Sequence, residues 1–178
     1  MIYLQFVRLL LRHKWYVLRA GIVTGVPFWR LLIHDLSKFS PAEFVTYAKN
    51  FHGDYSGSPN DREHVARDFQ FAWLHHENAN PHHWGYWIPR SGKHANEPLP
   101  MPETYVREMI ADCMGASKAY TGSWDIACWL NENGRKWILH PETERLIAVV
   151  MIEMHYIITD NCPWSWMGSQ RVIDGALP

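Results

Sequence analysis

Apolar residues recur at intervals of three and four from the start of the chain. Phe6, Leu9, Leu10, His13, Tyr16, Val17 and Ala20 fall on one stripe, which predicts an amphipathic helix over residues 3–20. Gly21, Gly25 and Pro27 punctuate the pattern, and a second helix is expected from about Pro27 to Phe39. Ser40-Pro41-Ala42-Glu43 has the form of a capping box with proline at the first helical position, so a third helix begins there and reaches about Phe51. His52–Pro59 reads as a Gly/Ser-rich loop, and Asn60 with Glu63 opens a fourth helix to about Asn80.

Residues 81–101 contain four prolines (Pro81, Pro89, Pro98 and Pro100) and are expected to form a long ordered loop or lid. Helices are predicted again from Pro102 to Tyr120, from Ser123 to Gly134, and from Pro141 to Thr159, with an irregular tail over 161–178. No segment alternates with a period of two, and no repeat or linker divides the chain. The expectation is one all-α domain over 1–178, with six to seven helices and a core in 3–160.

Composition adds a question to this picture. The 178 residues carry 17 Lys+Arg and 18 Asp+Glu, a net charge of −1, which argues against a nucleic-acid binder that works by phosphate neutralisation. Eleven histidines and ten tryptophans rival the eleven glycines, and glycine is ordinarily far commoner than either. Cys113, Cys128 and Cys162 are odd in number and widely spaced, as expected for buried thiols in a reducing compartment rather than a disulfide framework. The apolar N-terminus is broken by Arg8, Arg12, His13 and Lys14 and has no leading basic segment. A cytoplasmic protein with no membrane span is therefore expected.

Several polar residues fall where their neighbours predict a core. His13 lies on the stripe of Leu9, Leu10, Tyr16 and Val17; Asp112 shares a face with Tyr105, Met109 and Ala116; His34-Asp35 closes the apolar run Phe28–Ile33. An unpaired carboxylate buried there costs several kcal/mol, on the order of what unfolds a domain, so it must be neutralised, hydrogen-bonded or bound to a cation. Singly, each residue is better read as a satisfied core group. As a set on three helices they point to a shared first-row divalent metal, because imidazole with carboxylate suits such ions.

The fourth helix adds Phe69, Ala72, Trp73 and His76 on one stripe, with His75 on the adjacent face and His82-His83 just past Pro81. His76 and His83 are seven residues apart, two turns if the helix continues; His75 and His82 are the alternative pair. Lys38 stands four residues after His34, where a continuing helix would set it one turn on, ready for a phosphate oxygen. Glu43 and Glu77 are candidates to orient a ligand or act as a base. Arg90, Lys93 and His94 read as solvated loop residues, and Trp84, Tyr86 and Trp87 as an aromatic cluster pinning the loop. Trp164 and Trp166 read as a patch that covers the core or joins a second copy of the chain. His52, His64, His140 and His155 lie outside the series.

The ordered series His13, His34-Asp35, Asp112 resembles the HD-domain superfamily of metal-dependent phosphohydrolases, and His34-Asp35-Leu36-Ser37-Lys38 is similar to its H-D-x-x-K run. H-D-L-S-K-F-S-P-A-E-F at His34–Phe44 and N-P-H-H-W-G-Y-W at Asn80–Trp87 also resemble a family of small phage and bacterial proteins with no assigned activity, over roughly residues 10–120. The superfamily resemblance implies that His13, His34, Asp35 and Asp112 hold one ion. Asp35 then bridges to a second held by His76 and His83, or by His75 and His82. It implies one or two divalent ions (Mn, Fe, Mg, Co, Ni or Zn), catalytic roles for Asp35 and Lys38, and a nucleotide or related small phosphoester as substrate. Relatives on this scaffold with a di-iron centre that uses oxygen give a second expectation, and a non-catalytic, metal-containing binding module a third. A G-Y-P segment after the histidine pair, typical of the cyclic-di-GMP branch, is missing.

Overall fold

The computed structural model describes residues 1–53, 59–126, 129–130 and 133–158. Among them the chain is all-helical and folds as a single domain of six α-helices with short 3-10 turns and no strand. The helices are α1 (Ile2–Thr24), α2 (Phe28–Ile33), α3 (Pro41–His52), α4 (Pro59–Ala79), α5 (Glu103–Thr121) and α6 (Pro141–Ile158). Among the described residues no helix is long and apolar enough to cross a membrane.

The α1 stripe buries Phe6, Leu10, His13, Val17, Ala20, Gly21 and Thr24, the three-and-four spacing of one helical face. It stops at Gly25, which takes a left-handed conformation (φ 79°) that lets the N–H groups of Gly25 and Val26 close onto the carbonyls of Ile22 and Gly21. α1 runs along α5, and Gly115 sets their separation: a Cβ there would lie 2.7 Å from the backbone nitrogen of Val17.

Two apolar clusters flank the middle of α1. Val17 and Ala20 belong to the larger, with Leu31, Met101, Val106, Ile110, Leu130, Ile147 and Val150. Phe6 and Leu10 belong to the smaller, with Tyr47, Ala48 and Ala72 from α3 and α4. His13 falls between them, so the polar residues gather at the seam of two dry cores.

The expected helix from Pro27 to Phe39 is divided. α2 ends at Ile33, His34 is extended (φ −49°, ψ 127°), Asp35 is left-handed (φ 57°), and Leu36–Phe39 is a 3-10 turn. Adjacent residues of an α-helix point about 100° apart, so a continuous helix could not turn both His34 and Asp35 to one centre. The Lys14 ammonium donates to the carbonyl of His34 and supports the break, and aspartate is among the few side chains that tolerate positive φ. Lys38 therefore reaches the site from a turn rather than one helical turn beyond His34.

α3 starts where expected, with Pro41 at its first position, but Ser40 makes no side-chain cap. Its expected partner Glu43 is fully buried and turned to the histidines instead. α4 ends at Ala79, one residue before Asn80, and the chain turns through Pro81, with the His83 amide bonded to the Asn80 carbonyl at 3.0 Å. The loop 81–101 is pinned by its aromatics: Trp87 Nε1 donates to the Pro81 carbonyl at 2.8 Å, and Trp84 and Trp87 pack on the larger core. Ser123–Ile126 is not helical, whereas Trp129, Leu130 and Asn133 are, and Gly134–Lys136 is a 3-10 turn, so the short helix expected from Ser123 begins later, after Ile126. Cys128, the tail 161–178 with Cys162, Trp164 and Trp166, the His155 side chain, and most of the loop after His52 lie outside the described residues.

Candidate metal centre

Three chain segments converge at the seam. His13 comes from α1, His34 and Asp35 from the break after α2, and Asp112 from α5. His13 Nε2 lies 3.0 Å from Asp112 Oδ1 and 3.4 Å from Asp35 Oδ2. His34 Nε2 lies 3.5 Å from Asp35 Oδ2 and 3.4 Å from Asp112 Oδ1. A second group faces the other oxygen of Asp35: His76 Nε2 at 3.3 Å from Oδ1 and His82 Nε2 at 3.5 Å. The His83 ring stands 4.7 Å from that of His76 and 4.4 Å from that of His82, centroid to centroid.

These atoms are close without being bonded to one another. Nε2 of His13, His34, His76, His82 and His83, with Asp35 Oδ1 and Asp112 Oδ1, are all buried and lack a properly directed hydrogen bond. Buried polar atoms are ordinarily paired, and seven gathered in one place have the chemistry of a donor set that could hold a cation. His13, His34, Asp35 and Asp112 offer ligand atoms within 4.8 Å of one another, and so do Asp35, His76, His82 and His83. The two groups could each hold a metal ion, with Asp35 shared between them.

Behind the ligands stands a ring of carboxylates. Glu108 Oε1 lies 3.1 Å from His34 Nδ1 and 3.4 Å from His82 Nδ1, while its Oε2 accepts from Arg30 Nε at 2.6 Å. Glu43 Oε2 lies 2.9 Å from His76 Nδ1 and its Oε1 2.8 Å from His75 Nδ1. An ionised carboxylate can only accept, so Nδ1 carries a hydrogen in each of these rings, and in His34, His76 and His82 Nε2 is the nitrogen that faces Asp35. His34, His82 and Glu108 also satisfy the spacing of a third metal group. The Arg30 guanidinium, stacked 4.3 Å over the Tyr105 ring, already occupies Glu108.

The charges follow from this packing. Burial alone would raise Asp35, but His34 and Lys38 hold it well below the usual carboxylate range. Asp112 is held low in the same way, against its burial, by His13 and His34. Burial opposes a charge on His34, yet the surrounding carboxylates, Asp35 first, lift it to about 8. His83 is driven well below its ordinary value by burial and by the His82 and His76 rings, leaving the neutral imidazole that a metal takes. Lys38 is paired with Asp35 Oδ2.

The expected ligands thus divide. His13, His34, Asp35, Asp112, His76 and His83 are brought together, and His82 joins them. The alternatives 76/83 and 75/82 are not exclusive, because His82 and His83 both turn inward once the helix ends. His75 is outside: its side chain is 48% exposed and faces Glu43 away from the cluster. Arg90, Lys93 and His94 are exposed, His94 being paired with Glu97. Glu77 packs beneath Gly85. His140 accepts from the Glu142 amide at the start of α6. Sequence reasoning missed Glu108 and Arg30. The signal for Glu108 was available, since it precedes Asp112 by four residues and so shares its helix face.

A family model described as a family of unknown function (DUF5662) matches residues 3–152. The chain belongs to DUF5662. No curated protein and no solved structure matches it. The DUF5662 match spans every residue of the centre, from His13 to Asp112, and most of α6.

Proposed function

We propose that the chain is a metal-dependent phosphohydrolase of the HD-domain kind, acting on a nucleotide or related small phosphoester. The observation that carries this is the division of Asp35: one oxygen faces His13 and His34, the other faces His76 and His82, and the imidazole nitrogens between them are unbonded. His13, His34 and Asp112 with Asp35 Oδ2 would hold one divalent ion; His76, His82 and His83 with Asp35 Oδ1 would hold the other. When bound, such ions supply a water of lowered pKa and draw charge from a phosphoryl group. Glu108 and Glu43 keep the ligating rings in register. Lys38, the cation nearest the shared carboxylate, would take a phosphoryl oxygen and lower the charge that builds during displacement. A nucleotide substrate is an analogy with the resembled superfamily.

The test uses the purified chain, stripped with chelator and reloaded with Mn, Fe, Mg, Co, Ni or Zn, against a panel of phosphate monoesters and diesters. Turnover that needs metal and is lost in Asp35→Asn supports the reading. No turnover in any metal form overturns it. The three-histidine group favours one second reading, a di-iron centre that uses oxygen to cleave C–H or C–P bonds. Iron-dependent oxygen consumption selects that chemistry, and full activity with redox-inert Mg excludes it. Tight nucleotide binding without any turnover selects the non-catalytic module.

A further inference from the structure

Next to the centre, a pocket of about 80 Å³ opens among α1, α3, α4 and the C-terminal end of α5. His13 and Lys38 line it, and both also belong to the centre, so a molecule held there meets the first metal group. Besides Leu9 and Leu10, the other walls are aromatic: Phe6, Tyr47, Phe51, Phe69, Trp73 and Tyr120. These rings brace one another, with Tyr47 edge-on to Phe69 at 5.0 Å and Phe51 stacked on Tyr120 at 6.3 Å.

Two observations show that these walls are more than core. Tyr47 is 2% exposed, yet its phenolic oxygen has no hydrogen-bond partner, which is unusual for a buried hydroxyl. The ammonium of Lys38, the partner of Asp35 Oδ2, also lines a surface that is otherwise largely apolar. Sugar hydroxyls placed against such walls would give up water without replacement, whereas a flat ring gives up nothing of the kind and gains edge and face contacts.

We infer that this pocket takes the organic half of a phosphate monoester whose organic half carries a flat aromatic ring. The phosphate lies toward Lys38 and His13, and the Tyr47 hydroxyl donates to the bound ester. The inference rests on the phosphohydrolase reading of the centre. Two sources share the chemistry, a simple aryl group and a nucleobase.

The test is a binding titration of the full, metal-loaded chain, followed by calorimetry, with phosphonates that cannot lose their organic group by P–O cleavage. The expected order is phenylphosphonate about tenfold or more tighter than methylphosphonate, with the phosphonate analogue of glucose 6-phosphate no tighter than the methyl compound. Phe51→Ala, at a ring already 43% exposed, should erase most of the phenyl advantage and leave methylphosphonate binding unchanged. Tyr47→Phe should weaken both phosphonates by a similar factor. Equal affinities for phenyl and methyl, or a preference for the glucose analogue, overturn the inference. An adenosine phosphonate tighter than phenylphosphonate assigns the ring to a nucleobase, and a weaker one assigns it to a simple aryl group. A phenyl preference in a chain that turns over no phosphoester keeps the pocket and removes the reaction; turnover without the preference does the reverse.

Discussion

Glu108 Oε1 lies 3.1 Å from Nδ1 of His34, behind the ring whose Nε2 faces Asp35 and Asp112. The contact decides which nitrogen of His34 is free, and the same carboxylate approaches His82. Glu108→Gln keeps the volume and an acceptor but loses the charge. It should weaken metal binding about 10- to 100-fold with the helices intact, as read by calorimetry beside circular dichroism. Glu108→Ala should in addition destabilise the fold by about 3–5 kcal/mol, because Arg30 is then a buried charge without its partner. Unchanged affinity in the glutamine variant would remove Glu108 from the centre.

Asp35 faces both groups, whereas Asp112 stands closest to the first. Asp35→Asn, which still tolerates the left-handed backbone, should lower metal content at both groups, while Asp112→Asn should leave the second group loaded. Elemental analysis after dialysis against a fixed free-metal concentration distinguishes them. Equal losses in the two variants would argue against a shared Asp35.

His75 and His82 separate by the same measurement. His75→Ala should retain the full metal content, since His75 is half exposed and turned toward Glu43. His82→Ala should lose about tenfold or more in affinity.

The metal-free chain should have an alkaline weakness. The folded pKa of His34, about 8, is above its ordinary 6.5. The stability this contributes is full below 6.5 and is lost as pH rises through about 8, on the order of 2 kcal/mol. Asp35 and Asp112 are held low, so their contribution is full above the ordinary carboxylate range and is lost as pH falls below that range toward their lowered values. His83, held well below 6.5, acts the other way and costs stability as pH falls below 6.5, so chelated protein should unfold most reluctantly near pH 6.5. Metal should abolish the alkaline loss, because it replaces the proton as partner of the carboxylates. Urea midpoints with and without chelator across pH 5–9 test both signs.

Gly115→Ala should destabilise the fold by about 1–3 kcal/mol, because the added methyl meets the backbone of Val17. The same variant should weaken metal binding, since it parts the helix carrying His13 from the helix carrying Asp112. Thermal unfolding and metal titration of one sample test the two effects together.

Much of this was legible along the chain because it depends on neighbours close in sequence. The stripe that carries His13, the proline that opens α3, and the ends of α4, α5 and α6 within a residue or so are statements about local periodicity and capping. The placing of His13 and Asp112 among apolar neighbours was enough to mark them as inward-facing. Other features depend on partners far apart. The break at His34-Asp35 contradicts local helical pattern and is held by Lys14, twenty residues earlier. Glu43 had the sequence of a cap and became the partner of His76, thirty-three residues on. His82 and His83 were ambiguous because a helix that stops at Ala79 frees the chain to turn both rings inward. The reason is one of energy: a buried cluster of imidazoles and carboxylates must satisfy every nitrogen and oxygen, and that demand overrides the smaller preferences by which short stretches choose their structure.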